Sequence, residues 1–462
     1  MERTTAKKNK YEIDMCNGTI MDKLISFSLP LMLSGILQLM FNAVDIIVVG
    51  RFSGSQALAA VGSTSALINV FTNLFIGISL GANVLTARFY AAGREKEVSE
   101  TVHTAITLAL VSGIIMALVG LVFSRGALAL MGTPDDVIGL SALYMRIYFL
   151  GMPFFMLYNY GAAILRAVGD TKRPLLFLVI AGVINACLNM VLVIVFKLGV
   201  AGVAIATVIS QMISCVLVLR CLCQSKTSYQ LRFSELGMKG YYLKQIFSVG
   251  VPAGIQSTVI NFSNVLLQSS VNSFGSTAMA GYTAANNLLG FLYVSVNSIT
   301  QACMSFTSQN YGVGKLKRMD RVLADCMILS VVVAVVLGCI CYGFGPEILQ
   351  IYTEDAEVIA CGMEILAYTT ITYFLCGWMD LFPGALRGMG YSAVPMVLSV
   401  IGTVGTRVVW IFGIFPYHRS LAILFISYPA SWIITIILQV VCFYFVRRRV
   451  HRRSQALAGQ EG

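Results

Sequence analysis

Charge is scarce in this sequence. Only 11% of its 462 residues are Asp, Glu, Lys or Arg, against about 25% in an average soluble domain. A soluble protein needs more charge than this to cover its surface. A soluble enzyme, a disordered chain and a secreted disulfide scaffold are therefore excluded. Histidine is scarcer still: His103, His418 and His451 lie far apart and form no metal-binding set. There is no Walker loop (GxxxxGK followed by Ser or Thr) and no nucleotide-binding domain, which excludes direct drive by ATP. The absence of HExxH, of a His–Glu cluster and of an Asp pair on one span leaves an intramembrane enzyme without support, so the chain reads as no enzyme and as needing no cofactor. Cysteine is present but scattered. The twelve residues fit no zinc spacing and read as free thiols behaving like small apolar residues. What is abundant is apolar: 57% of the chain is hydrophobic and the mean hydropathy is +0.81. The composition is that of an all-α polytopic membrane protein.

About 20 apolar residues cross a bilayer. Twelve such segments run over 24–50, 58–84, 101–123, 138–163, 175–196, 200–222, 244–272, 280–306, 322–343, 358–386, 394–415 and 421–446. The first follows Lys7, Lys8, Lys10 and Lys23 without a small-residue cleavage site, so it reads as a retained span. Basic residues set the orientation. One side of the expected topology collects 26 Lys and Arg, the other only Arg51, Arg125, Lys197 and Arg419, while Arg146 and Arg407 fall within spans. This asymmetry places both termini in the cytoplasm. The tail 447–462, with Arg447, Arg448, Arg449, Arg452 and Arg453, reads as an anchor for anionic lipid and not as a nucleic-acid site.

The two halves resemble each other at an offset of 221–222 residues. LISFSLP (24–30) matches QIFSVGVP (245–252), and RFYAAGR (88–94) matches QNYGVGK (309–315). ILRAVGDTKRP (164–174) matches ALRGMGYSAVP (385–395), aligning Arg166 with Arg387 and Gly169 with Gly390. The offset carries six spans, an even number, so both halves keep one orientation. The expectation is two six-helix lobes related by a pseudo-two-fold axis along the membrane normal. The N-lobe is 1–222, the inter-lobe loop 223–243 and the C-lobe 244–446. Such a plan suits a carrier, taken here as a monomer, with a central cavity. Concentrating a solute would then draw on an ion gradient, at about 2.3 kcal/mol per charge for 100 mV.

Few ionisable residues interrupt the spans, and each is costly there. Asp45 is the foremost. Gln38, Asn42 and Asp45 are spaced i, i+4, i+7 and share one helix face. Among apolar helices Asp45 is suited to taking and releasing a proton; the alternative is a structural Asp bonded to neighbouring helices. Span 5 offers Asn185 and Asn189, and span 6 offers Thr207. With Asp45 these make an oxygen-rich set suited to a hard cation such as Na⁺; interhelical hydrogen bonding is the competing use. Asn69, Asn73, Gln256 and Asn264 are further candidates to line a cavity. Leu267 takes the place of Asp45 in the second half. Glu364 and Arg407 lie at similar depths and could pair, Arg146 could pair or snorkel, and Asp380 leans structural. Pro30, Pro153, Pro252 and Pro383 are expected to bend their helices.

Three stretches carry a family likeness: NAVDIIVVGRFSGSQALAAVG (42–62), LRAVGDTKRP (165–174) with its mate LRGMGYSAVP (386–395), and LGVAGVAIAT (198–207). The chain resembles the multidrug and toxic compound extrusion (MATE) transporters, over nearly its whole length. The resemblance implies antiport of organic cations and amphipathic drugs against H⁺ or Na⁺, by alternating access of two lobes. It also implies that Asp45 is the N-lobe coupling carboxylate, with Asn185 and Thr207 completing its site, and a Na⁺ site at these three in the sodium-coupled case. Asn189 stands where many relatives have a second aspartate, and span 7 lacks the glutamate of one sodium-coupled branch. One carboxylate favours a single H⁺, with Na⁺ as the alternative. A second reading is a lipid-linked oligosaccharide flippase of the same wider superfamily, but such proteins tend to carry more spans and a strongly cationic cavity.

Overall fold

The computed structural model describes residues 11–458. Lys7, Lys8 and Lys10 of the N-terminal flank and residues 459–462 of the tail lie outside the described residues. Every regular element within them is helical. The first half comprises α1 (Met21–Phe52), α2 (Ser55–Ala91), α3 (Glu95–Leu130), α4 (Asp135–Leu150), α5 (Met152–Ala167), α6 (Lys172–Asn189) and α7 (Gly199–Gln224). The second half comprises α8 (Gly240–Asn272), α9 (Ser276–Gly312), α10 (Leu316–Gly343), α11 (Gly345–Gln350), α12 (Ala356–Thr369), α13 (Tyr373–Gly388), α14 (Ala393–Ser399), α15 (Thr406–Val409) and α16 (Leu421–Ala458). Three π-helical turns interrupt this pattern: Met190–Val195 continues α6, while Val400–Gly405 and Trp410–Ile414 flank α15.

Each of the twelve expected spans corresponds to one helix or to one broken helix. Eight described helices are long and apolar enough to cross a membrane alone. Two more spans are bent pairs, α4 with α5 at 47° and α12 with α13 at 51°. The remaining two, α8 and α9, are 33 and 37 residues long but richer in polar side chains. The basic stretch after residue 446 is not a separate segment, because α16 carries on through it to Ala458.

The bends have local causes. The first falls at Gly151, two residues before Pro153, whose ring and missing N–H are tolerated in the opening turn of α5. The second falls at Thr370–Thr372 and not at Pro383, which lies inside α13. There Thr369, Thr370 and Thr372 each donate to the carbonyl four residues back, at 2.7, 2.6 and 2.8 Å. Hydroxyls that compete for helix carbonyls loosen the backbone ladder and bend it.

The repeat has a backbone counterpart. Gly93 and Gly314 end α2 and α9 with φ 70° and 73°, and Gly169 and Gly390 follow α5 and α13 with φ 98° and 91°. These left-handed turns favour glycine because a Cβ would crowd the backbone. The mates that the sequence alignment pairs therefore make the same turn.

Two compact units result. One holds the described residues up to Ile13 together with Leu33–Gly254; the other holds Asp14–Met32 and the described residues from Ile255 onward. Helix α1 changes unit just after Pro30, and α8 just after Pro252. In the first unit α2 and the opening half of α8 approach most closely at glycines: a Cβ on Gly77 would strike the Gly254 backbone, and one on Gly250 the Ile78 backbone. Small residues at such crossings let helix backbones touch and gain dispersion contacts that lipid does not supply. In the second unit the opening half of α1 packs Phe27 edge-on against Phe306 of α9, with ring centroids 5.6 Å apart. No disulfide joins any of the twelve cysteines among the described residues.

Candidate functional site

Asp45 lies in the first unit, on the second half of α1, with 9% of its surface exposed. Asn185 and Asn189 sit one turn apart at the end of α6, and Thr207 faces them from α7. The Asn189 Nδ2 amide donates to Asp45 Oδ1. The same amide lies 3.2 Å from Asn185 Oδ1 and donates to it as well. The Thr207 hydroxyl reaches Asp45 Oδ2 at 3.4 Å and the Val203 carbonyl at 3.0 Å. One hydroxyl proton serves only one acceptor well, and the carbonyl is the nearer. All four residues read from the sequence as one set are thus neighbours.

This arrangement has definite chemical capacities. Around an ionised Asp45 the donors are Asn189 Nδ2 and the Thr207 hydroxyl. If Asp45 takes a proton on Oδ2, the carboxyl becomes a donor to Thr207 Oγ1, whose own proton then turns wholly to the Val203 carbonyl. The oxygens within the cluster are those of Asp45, Asn185, Thr207 and Asn189. The Asn189 Oδ1 atom is buried and has no hydrogen-bond partner among the described residues. A hard cation would call on such oxygens, but Asn189 presents its donor face to the carboxylate. Holding a cation there requires its amide to turn over.

The local fold explains why the cluster is placed here. Asn189 is the last residue of α6, and the chain then widens into the π-helical turn Met190–Val195. Such turns leave one residue outside the regular ladder and recur at functional sites. Sequence reasoning missed this turn, and it also missed Tyr144 and Tyr148 of α4, which lie near enough for the Asp45 charge to act on them. Their i, i+4 spacing is visible in the sequence, and their rings stack with centroids 6.1 Å apart, but the spacing does not say that they face Asp45.

The other residues read from the sequence are not part of this cluster. Gln38 and Asn42 are exposed, as is Asn69, and Asn73 is half-buried. None of them is bonded to Asp45 among the described residues. In the second unit Gln256 and Asn264 each serve an arginine: Gln256 Oε1 accepts from Arg387 Nη2 at 2.6 Å, and Asn264 Oδ1 accepts from Arg407 Nη1 at 2.7 Å. Glu364 is not among the partners of Arg407, which instead donates to Ser263 Oγ at 2.8 Å. Arg146 is exposed, consistent with snorkelling. Asp380 acts on Arg387 through its charge. Leu267, at the place of Asp45 in the repeat, is buried in the apolar core of the second unit.

Comparison with known proteins gives a consistent result. The MatE family model matches twice, over residues 30–191 and 252–412, which reproduces the internal offset. A probable multidrug resistance protein of Bacillus subtilis, YoeA, is 31% identical over 434 residues, covering 92% of this chain and 93% of the relative. The multidrug export protein MepA of Staphylococcus aureus is 22% identical over 382 residues, covering 82% and 84%. Among solved structures, an outward-facing multidrug resistance MATE family transporter superposes with a TM-score of 0.87 at 19% identity, covering 97% of this chain and all of that one. A MATE crystallised in complex with MaL6 gives a TM-score of 0.88 at 20% identity, with the same coverage.

Proposed function

The chain belongs to the MatE family of multidrug efflux transporters, and on that premise we propose that it is a secondary antiporter. It expels lipophilic, often cationic compounds from the bacterial cytoplasm in exchange for H⁺ taken up at Asp45. The observation that carries this reading is a nearly buried carboxyl held by Asn189 and Thr207 on three different helices. An ionised Asp45 gathers donors from α6 and α7. A protonated one reverses its hydrogen bond to Thr207 and releases the demand for both. Protonation therefore changes how α1 is tied to α6 and α7, beside a π-helical turn that has a residue to spare. One proton moving down 100 mV supplies about 2.3 kcal/mol, enough to support a substrate gradient of roughly 50-fold.

Na⁺ is the second reading, at Asp45, Asn185 and Thr207, because the two neutral residues carry oxygens near the carboxylate. Both readings keep both termini in the cytoplasm and need no enzyme chemistry. The test is ethidium efflux from cells stripped of their own pumps, comparing wild type with Asp45→Asn. Loss of efflux in the variant, with no response to Na⁺ at fixed pH, is the expected result. Equal efflux would remove Asp45 from the mechanism, and a requirement for Na⁺ would replace H⁺.

A further inference from the structure

The second unit contains a buried charge of the opposite sign, at the repeat mate of Asn185 and not of Asp45. Arg407 lies 222 positions after Asn185, Asn264 lies 222 after Asn42, and Tyr428 lies 221 after Thr207. Where the first unit gathers amides around a carboxylate, the second gathers neutral groups around a guanidinium. Arg407 is 3% exposed. Its two side-chain hydrogen bonds both leave from Nη1, to Ser263 and Asn264. Its Cζ stands over the Tyr428 ring, 4.7 Å from the centroid. Nε is buried and has no partner, and Nη2 makes no hydrogen bond among the described residues.

Guanidinium remains charged in proteins, so this group cannot relieve its burial by losing a proton. A buried charge is normally balanced by an opposite one. No carboxylate lies within ion-pairing distance of Arg407 among the described residues. The titratable side chains that act on it are Tyr428, Tyr282, Cys376 and Tyr373, phenols and a thiol and no carboxylate. The nearest comparison is Arg387, which does feel a carboxylate, that of Asp380. The unused edge of Arg407, Nε with Nη2, is the planar fork that takes a carboxylate through two parallel hydrogen bonds. A halide or ammonium has no use for that geometry. The aromatic rings beside it suit the apolar body of an amphipathic molecule. The residue is also mounted on α15, four residues long between two π-helical turns, where a shift of backbone register would reorient it.

We propose that Arg407, Tyr428, Ser263 and Asn264 form a receptor in the second unit for the carboxylate of an amphipathic organic acid or zwitterion, held by the Nε–Nη2 edge of Arg407. The receptor gives the carrier a place to recognise a carboxylate, and only its transport consequence rests on the efflux reading above.

The test uses binding by the full-length purified chain. All three tryptophans, Trp378, Trp410 and Trp432, belong to the second unit, and Trp432 lies 5.9 Å from the Tyr428 ring. Intrinsic fluorescence therefore reports on the site. Pentanoate should change it saturably, while pentanamide and sodium chloride at equal concentration should not. Arg407→Gln should weaken the pentanoate response at least tenfold. Arg407→Lys, which keeps the charge and loses the fork, should weaken it about threefold or more and serves if the glutamine variant does not fold. Asp45→Asn should leave the titration unchanged, so a failure of the antiport reading does not touch it. The proposal is overturned if pentanamide or chloride saturates the same signal, or if folded Arg407→Lys and Arg407→Gln titrate like wild type.

Discussion

The glycine seam between α2 and the opening half of α8 makes a sharp prediction about packing. A methyl group at Gly77 would be placed against the Gly254 backbone, and no side chain there can swing aside to admit it. Overpacking a core costs about 1–3 kcal/mol, and a backbone obstacle belongs at the top of that range. Replacing a helical glycine by alanine regains about 1 kcal/mol of helix propensity. Gly77→Ala should therefore lose about 2 kcal/mol net. Gly62 lies on the same helix with open space around it. Gly62→Ala should show only the propensity gain, roughly 0.5–1 kcal/mol. At roughly 2–4 °C per kcal/mol for a unit of this size, the two variants should differ in Tm by about 5–10 °C, in opposite directions from wild type. Loss of helical circular dichroism during heating of the detergent-solubilised protein reads this. Gly77→Ala as stable as Gly62→Ala would refute the close approach of the two helices.

Further expectations follow from individual contacts. Glu12 accepts from both Tyr90 and Tyr229 at 2.7 Å, so Glu12→Leu should cost about 1.5–3 kcal/mol in the same unfolding measurement. Thr207→Val keeps the volume but removes the hydroxyl that meets Asp45, and should slow ion-driven ethidium efflux while leaving ethidium binding, read by its fluorescence, within about twofold. A bond to Tyr242, then burial opposing it, and the nearby Lys239 together hold the Glu100 carboxyl below its usual range. Its contribution is therefore present above the unfolded value near pH 4 and fades as pH falls through the lower folded one. Lysine- and arginine-specific proteolysis of the loop 225–239, followed after brief acid exposure, should increase for wild type, whereas Glu100→Gln should already be sensitive at neutral pH.

Periodicity and charge made much of this molecule legible. The twelve spans are legible because a run of some twenty apolar residues has few other uses, and the repeat because turn glycines such as Gly93 and Gly314 are fixed by backbone geometry. The grouping of Asn185, Asn189 and Thr207 near Asp45 followed from helical spacing and from resemblance. What the sequence did not disclose depends on interactions between distant segments. The break in the tenth span comes from three threonine hydroxyls and not from Pro383, and residue type alone does not say which hydroxyls turn back on their own helix. The π-helical turns at Met190 and on either side of α15 carry no residue signature. The pairing of Arg407 with Ser263 and Asn264, in preference to Glu364, depends on which helix faces which, and depth along a span does not contain that information. The change of unit within α1 and α8 likewise follows from packing after Pro30 and Pro252.

The central claim is that Asp45 couples an ion gradient to export. It is tested most directly in proteoliposomes containing the purified protein, with an imposed pH gradient at constant Na⁺ and ethidium as the transported cation. The wild type should accelerate ethidium movement when the gradient is applied. Asp45→Asn keeps an acceptor for the Asn189 amide, so it should fold and bind ethidium yet move it at one rate with or without the gradient. An Asp45→Asn protein that responds to the gradient as the wild type does would contradict the claim.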